Sequence, residues 1–268
     1  MSTIDKVRAY WDRRPCNIRH SSAPVGSRQY FEEVQDRKYS VESHIPAFAD
    51  FWRNRDKKVL EVGCGIGTDT MEFARHGCKV TAVDLSEESL TIAKQRAQVF
   101  SLQDWITFRY ADAEHLSDFI LRQPYDLIYS FGVIHHSPDP ARILREMHRF
   151  TRPGTVLKLM VYHKFSWKVL WMLLNYGYEP NFIAKSSEAE SNCPVTYAYS
   201  KAEAKKLVEQ AGFTVTGIRV EHIFPYEISA YKRYEYKKVW YFRWMPHTWF
   251  RRLEQRFGWH LLITGVAE

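Results

Sequence analysis

The feature that most constrains this chain is a glycine turn set directly after a short apolar run. Lys57 to Val62 (KKVLEV) leads into Gly63-Cys64-Gly65-Ile66-Gly67, and helical spacing follows from Thr68 to Arg75. This reads as strand, tight turn and helix. The glycines let the backbone approach a ligand closely where bulkier side chains would block it. A core that opens this way builds a sheet of parallel strands with helices packed on it.

The pattern downstream agrees. Lys79 to Asp84 (KVTAVD) is a second β-branched strand, and Ser86, with Glu88 and Ser89 after it, caps a helical stretch through Val99. Ile106 to Tyr110, Tyr125 to Phe131 and Thr155 to Tyr162 read as three more strands, with a helix from about Pro140 to Phe150 before the last. The alternation breaks after Tyr162. Ser200 then caps a helix through Gln210 that Gly212 ends, and Thr214 to Glu221 and Leu261 to Ala267 are late β-branched stretches. The fold class is therefore α/β, doubly wound, with an N-terminal segment over 1–50, a core over 51–165 and a remainder over 166–268. Insertions fall at about 164–199 and 222–259.

Two acids specify the ligand. Asp84 ends the second strand about 20 residues beyond the turn, where a carboxylate accepts hydrogen bonds from ribose hydroxyls. Position 68 is Thr68, so the turn reads GxGxG rather than the dinucleotide GxGxxG. Glu61 beside it would repel a pyrophosphate yet attract the ammonium of a methionine moiety. Both departures favour S-adenosylmethionine over NAD. Asp112-Ala113 after the third strand offers a carboxylate that either meets the adenine amino group or caps the next turn.

Taken together, VLEVGCGIGTDT, VTAVDLS, ADAEHL and YDLIYSFGVIHHSPDP resemble, in order and spacing, the class I S-adenosylmethionine-dependent methyltransferases, specifically the type 11 small-molecule group. The resemblance covers roughly residues 55 to 165. It implies a mostly parallel seven-stranded sheet whose last, antiparallel strand is Leu261 to Ala267. It also implies cofactor contacts at Glu61, Gly63, Gly65, Gly67, Asp84, Leu85, Asp112, Ala113 and Ser130, with S-adenosylhomocysteine as product. N-terminal elements in this family commonly form a lid, which here would put Tyr10 and Trp11 over the cofactor.

Candidates for the chemistry gather after the strand ends. Methyl transfer to a neutral hydroxyl or amine requires a proton to leave, and a positioned base contributes typically about 10² to 10⁴-fold. His135 and His136 follow the fourth strand and Tyr162 and His163 end the fifth, at the edge where ligands bind in open α/β sheets. Each either faces an acceptor or packs around its turn. Arg13, Arg14, Arg19 and His20 suit recognition of a carboxylate or phosphate, with a solvated helix face as the competing reading. Tyr197 and Tyr199, in SNCPVTYAYS, are candidate pocket residues.

Composition sets the remaining limits. Net charge is +7, which permits an anionic acceptor or surface, but no nucleic-acid-binding module is recognised and no nucleic-acid partner is expected. Cys16, Cys64, Cys78 and Cys193 form no close pair, so neither a disulfide framework nor a metal site is expected. The polar N-terminus and the lack of a long apolar run suggest a cytoplasmic protein. Val239 to His260 interleaves Trp and Phe with Arg. That pattern suits an anionic membrane surface, but Pro246 and Gly258 interrupt it, and packing against the core is the expected outcome. The partner is a small-molecule acceptor methylated at oxygen, nitrogen or sulfur; a lipid-borne or macromolecular acceptor, or a non-catalytic cofactor-binding module, are the alternatives.

Overall fold

In the computed structural model, which describes residues 2–176, 183 and 193–268, three helices precede the sheet: α1 (Thr3–Arg13), α2 (Arg28–Val41) and α3 (His44–Ala49). The core then alternates β1 (Lys58–Val62), α4 (Thr68–Arg75), β2 (Lys79–Asp84), α5 (Glu87–Val99) and β3 (Ile106–Tyr110). It continues through α6 (Leu116–Phe119), β4 (Leu127–Phe131), α7 (Pro140–His148) and β5 (Val156–Tyr162). After α8 (Trp167–Tyr176) come a helix at Lys201–Glu209 and β6 (Phe213–Glu221). Short helices at Ile228–Tyr231 and Trp240–Arg243 and a longer one at His247–Phe257 precede β7 (His260–Ala267). Much of the expected insertion over 164–199, including Ser191 and Asn192 of SNCPVTYAYS, lies outside the described residues.

The seven strands form one sheet in the order β3-β2-β1-β4-β5-β7-β6. β1 to β5 pair in parallel, and β7 runs antiparallel between β5 and β6, as the resemblance implies. Strand order reverses at β1, whose neighbours are β2 and β4, and the crevice outside their carboxyl ends is where ligands bind in such sheets.

β1 is buried on both faces. Val59 belongs to one buried cluster with Met71, Phe73 and Val80, whereas Leu60 and Val62 belong to another with Ile143, Leu144 and Met147. A sheet covered on both sides explains why KVLEV reads as a nearly continuous apolar run. The N-terminal helices are joined to this core: Tyr30, Phe31 and Val34 of α2 pack with Ile66 of the glycine turn and Ile92 of α5. The fully buried Arg96 completes the joint, donating to Thr68 Oγ1 (2.7 Å) and the Phe31 carbonyl (3.0 Å).

Register brings the late strands to the site. Tyr162 and Glu221 both pair with His260, so the start of β7 sits at the carboxyl edge of β5. The expected packing of the late aromatics is corrected in part. Phe242 and Trp259 are buried, but Trp240, Trp244 and Trp249 are 75%, 79% and 66% exposed. The helices at Trp240–Arg243 and His247–Phe257 present these rings outward, while Phe242 packs inward on Trp167 and Phe250.

Candidate active site

Gly63, Gly65 and Gly67 take left-handed backbone conformations, with φ of +81°, +52° and +77°. A side chain on Gly63 would place its Cβ 2.2 Å from a Val133 methyl, whereas a Cβ on Gly65 would meet nothing within 4 Å. One glycine is thus required by packing. The other borders open space at the topological switch point.

Asp84 locks this turn. Its carboxylate accepts from the Gly65 N–H (2.7 Å) and the Ser86 N–H (2.8 Å). Burial pushes its pKa up, and the backbone donors oppose that shift. A carboxylate offers about four acceptor sites, so capacity remains for ribose hydroxyls. Leu85 beside it is half-buried.

Glu61 is buried and accepts from Thr70 Oγ1 at 2.5 Å. Burial, and after it the nearby Asp69, drives its pKa well above the usual carboxylate range. The adjacent cation is committed elsewhere: Lys38 Nζ donates to Asp69 at 2.8 Å, and Asp69 also accepts from Tyr39 and Tyr129. A cationic ligand would restore the charged form of Glu61. The open space at Gly65, the remaining capacity of Asp84 and the buried Glu61 together fit S-adenosylmethionine.

Two residues carried over from the resemblance have their side chains occupied in the fold. Asp112 caps its own turn through the Glu114 N–H (2.9 Å) and approaches His115 (3.4 Å), and Ala113 opens that turn. The Ser130 hydroxyl is fully buried and donates to the Val62 carbonyl at 2.9 Å, joining β4 to β1.

The N-terminal helix crosses this edge. Arg8 of α1 donates to the Tyr110 hydroxyl at the end of β3 (3.4 Å), and the Trp11 ring meets His136 edge-on at 5.3 Å. Tyr10 is buried, 5.0 Å from Trp11 between ring centroids. The candidate acceptor-binding cations diverge. Arg13 and Arg19 are exposed, whereas Arg14 keeps a buried Nη1 without a hydrogen-bond partner among the described residues. His20 packs edge-on to Tyr231, and burial, followed by Arg37, pushes its pKa down to about 3.

The histidine pair separates into two environments. His136 Nδ1 lies 3.1 Å from both the Val195 carbonyl and Thr196 Oγ1, and 3.3 Å from Cys193 Sγ. It ties down the segment that carries Tyr197 and Tyr199. His135 is fully buried with its ring centroid 3.8 Å from that of Tyr162, and neither of its nitrogens has a hydrogen-bond partner among the described residues. Burial holds its pKa well below the usual histidine value. His163 faces a structural partner, its Nδ1 3.0 Å from the Gly258 carbonyl. Tyr199 bonds across to Tyr162 through its backbone (2.8 Å), and Tyr197 is 44% exposed.

Sequence reasoning missed a further cluster. His44 Nε2 and His260 Nδ1 are 3.0 Å apart, His222 stacks on His260 at 4.6 Å, and Phe131 at the end of β4 meets both His44 and His260. His260 opens β7 and His222 follows β6, so strand ends were the available signal. His222 holds a left-handed φ of +74°, a conformation that costs a non-glycine residue energy. Burial keeps all three neutral, with His44 pushed down to about 4 and His222 to about 3. Donor atoms of Glu42, His222 and His260 lie within 4.8 Å of one another. Lys168 acts on both His222 and His260, and Arg251, Lys38 and Arg219 act on the neighbouring His44.

Comparison with known proteins agrees with this arrangement. Residues 30–217 match the family model described as a methyltransferase domain. A ubiquinone biosynthesis O-methyltransferase from Psychrobacter arcticus is 30% identical over 173 residues, covering 63% of this chain and 63% of that protein. This chain thus spans under two thirds of that relative's length. Among solved structures, magnesium protoporphyrin IX methyltransferase from Synechocystis, determined with bound S-adenosylhomocysteine, has a TM-score of 0.62 at 16% identity and covers 98% of both chains. The [4+2]-cyclase SpnF scores 0.62 at 16% identity, covering 99% of this chain and 97% of its own. The fold alone therefore does not fix the reaction. The family model covers most of the chain, and by that match the chain belongs to the class I S-adenosylmethionine-dependent methyltransferases.

Proposed function

We propose that this enzyme methylates a hydroxyl oxygen of a small-molecule acceptor, with His135 as the group that takes the proton. The observation that carries this reading is the buried His135 imidazole, neutral and with both nitrogens unpartnered among the described residues, at the carboxyl edge between β4 and β5. A buried polar group left unpaired costs about 1–3 kcal/mol, and an acceptor hydroxyl would relieve it. The O-methyltransferase name of the Psychrobacter relative supports oxygen over nitrogen or sulfur.

When bound, S-adenosylmethionine supplies an activated methyl on a sulfonium, and the carbon–sulfur bond breaks as the oxygen–carbon bond forms. The chain's own residues orient and exclude water. Asp84 would hold the ribose side and Glu61 the cationic side, and the open space at Gly65 would leave room for the ligand. His135 accepts the hydroxyl proton as the oxygen attacks, and Tyr162 keeps the imidazole plane in place. Orientation of this kind can supply about 7–11 kcal/mol of a barrier. Arg14, whose buried Nη1 has no hydrogen-bond partner among the described residues, is the cation assigned in this reading to an anionic group on the acceptor.

The test is to incubate the protein with labelled S-adenosylmethionine and panels of phenolic and carboxylated metabolites, following products by mass spectrometry and cofactor binding by calorimetry. A labelled ether product that the His135→Ala variant fails to make, with cofactor binding retained, supports the reading. Tight cofactor binding with no product from any pool defeats it. A lipid-borne acceptor is the second reading, favoured by the exposed tryptophans of the last hundred residues.

A further inference from the structure

Between Lys237 and Phe257 the chain carries Lys237, Lys238, Arg243, Arg251, Arg252 and Arg256 against one acid, Glu254. Glu254 is buried and paired with Arg251, so the exposed part of this stretch bears no negative side chain. Arg251 also pairs with Glu221, and Lys237 with Glu227. Lys238, Arg243, Arg252 and Arg256 have no ion pair among the described residues.

Interleaved with those cations stand Trp240, Trp244 and Trp249, the exposed rings noted above. Their neighbours show that the stretch is seated and not loose. Phe242, 3% exposed, packs 5.7 Å from Trp167 and 5.3 Å from Phe250, and Tyr241 also meets Trp167 at 5.7 Å. This ring cluster fixes the two helices against α8. α8 in turn exposes Leu170 (46%) and Leu174 (75%), with Phe165 (63%) just before it.

From these contacts we infer that the helices at Trp240–Arg243 and His247–Phe257, with the neighbouring α8, form a docking face for an anionic phospholipid bilayer. Indole rings suit the boundary between headgroups and acyl chains, and unpaired Lys and Arg suit a negatively charged headgroup layer. Exposed apolar side chains gathered on helices that pack against one another mark an interaction site. The exposed leucines favour lipid over single-stranded nucleic acid, since stacking and phosphate contact would use the rings and cations but not aliphatic side chains. The inference goes beyond the proposed reaction and does not depend on the acceptor's identity.

The test uses the whole chain with vesicles of equimolar phosphatidylcholine and phosphatidylglycerol, and with vesicles of phosphatidylcholine alone. Cosedimentation and a blue shift of tryptophan emission are expected with the mixed vesicles only, weakening as salt rises. The combined Trp240→Ser, Trp244→Ser and Trp249→Ser variant should bind at least roughly tenfold more weakly, and so should Arg243→Gln, Arg252→Gln and Arg256→Gln together. Circular dichroism and cofactor calorimetry should be unchanged in both, and a loss of cofactor binding in wild type would count against the proposed reaction and not this face. Absence of binding to mixed vesicles, equal binding to both vesicle types, or unchanged binding by the tryptophan variant overturns the inference. Capture of a single-stranded RNA or self-association in sedimentation velocity, without vesicle binding, overturns it as well.

Discussion

The His135 imidazole lies against the Tyr162 ring with 3.8 Å between centroids, and among the described residues its nitrogens have no hydrogen-bond partner. His136, one residue on, is fastened through Nδ1 to the 193–196 segment. Replacing each with alanine should therefore do different things. His135→Ala should lower kcat by about 10² to 10⁴-fold with cofactor affinity intact. His136→Ala should instead raise the acceptor KM and lower Tm, because it frees the segment bearing Tyr197 and Tyr199. Steady-state kinetics beside calorimetry checks both, and identical profiles for the two variants would remove the distinction.

Acid should separate activity from an ordinary histidine titration. His135 is held neutral well below the usual histidine value by burial. The base form should persist as pH falls through about 6.5, where an unperturbed imidazole would be half protonated. A pH profile of kcat/KM with its acid limb centred near 6.5 would rule out His135 as the base.

Stability should move the other way on the same axis. Burial puts His222 at about 3 and His44 at about 4 in the folded chain. Unfolded histidines titrate near 6.5, so between those values the unfolded chain binds more protons. The full contribution is present above about pH 6.5 and is lost as pH falls toward 4 and then 3. Urea midpoints at pH 7.5 and 5.5 should show the decline, and His222→Gln should flatten it.

The glycine turn gives a paired prediction. Gly65→Ala adds a Cβ where nothing lies within 4 Å, so the fold should bear only the left-handed strain of roughly 1–2 kcal/mol while the cofactor loses room. Gly63→Ala drives a Cβ onto Val133 and should destabilise the whole protein. Thermal melts and cofactor titrations of the two variants distinguish a ligand-facing glycine from a packing one.

Glu61 offers a thermodynamic signature. Its carboxyl is biased toward the protonated form by burial, and a cationic ligand would reverse that bias. Cofactor binding near neutral pH should therefore release protons, visible as a dependence of calorimetric enthalpy on the buffer's ionisation heat. Glu61→Gln should abolish the release and weaken binding.

The core of this architecture was legible because its signals are local. The turn at Gly63 to Gly67, the β-branched runs and the serine caps at Ser86 and Ser200 all act within a few residues of where they stand, and the helices and strands begin within a residue or two of where those signals place them. The acceptor side was harder to read. His222 and His260 are brought together by the β7–β6 register, and His44 of α3 reaches His260 across 216 residues of chain. The packing expected of the late aromatics holds for Phe242 and Trp259 and not for Trp240, Trp244 and Trp249, because an alternating aromatic pattern says that two faces exist, and only tertiary neighbours such as Trp167 and Phe250 say which one is covered.

The position of α1 bears on turnover. One eleven-residue helix reaches the end of β3 through Arg8 and the turn after β4 through Trp11. Cofactor and acceptor would then share a single gate, and neither ligand could exchange while the other was sealed in. If detachment of this short, capped helix limits turnover, increased solvent viscosity should slow kcat even where the methyl transfer itself is fast.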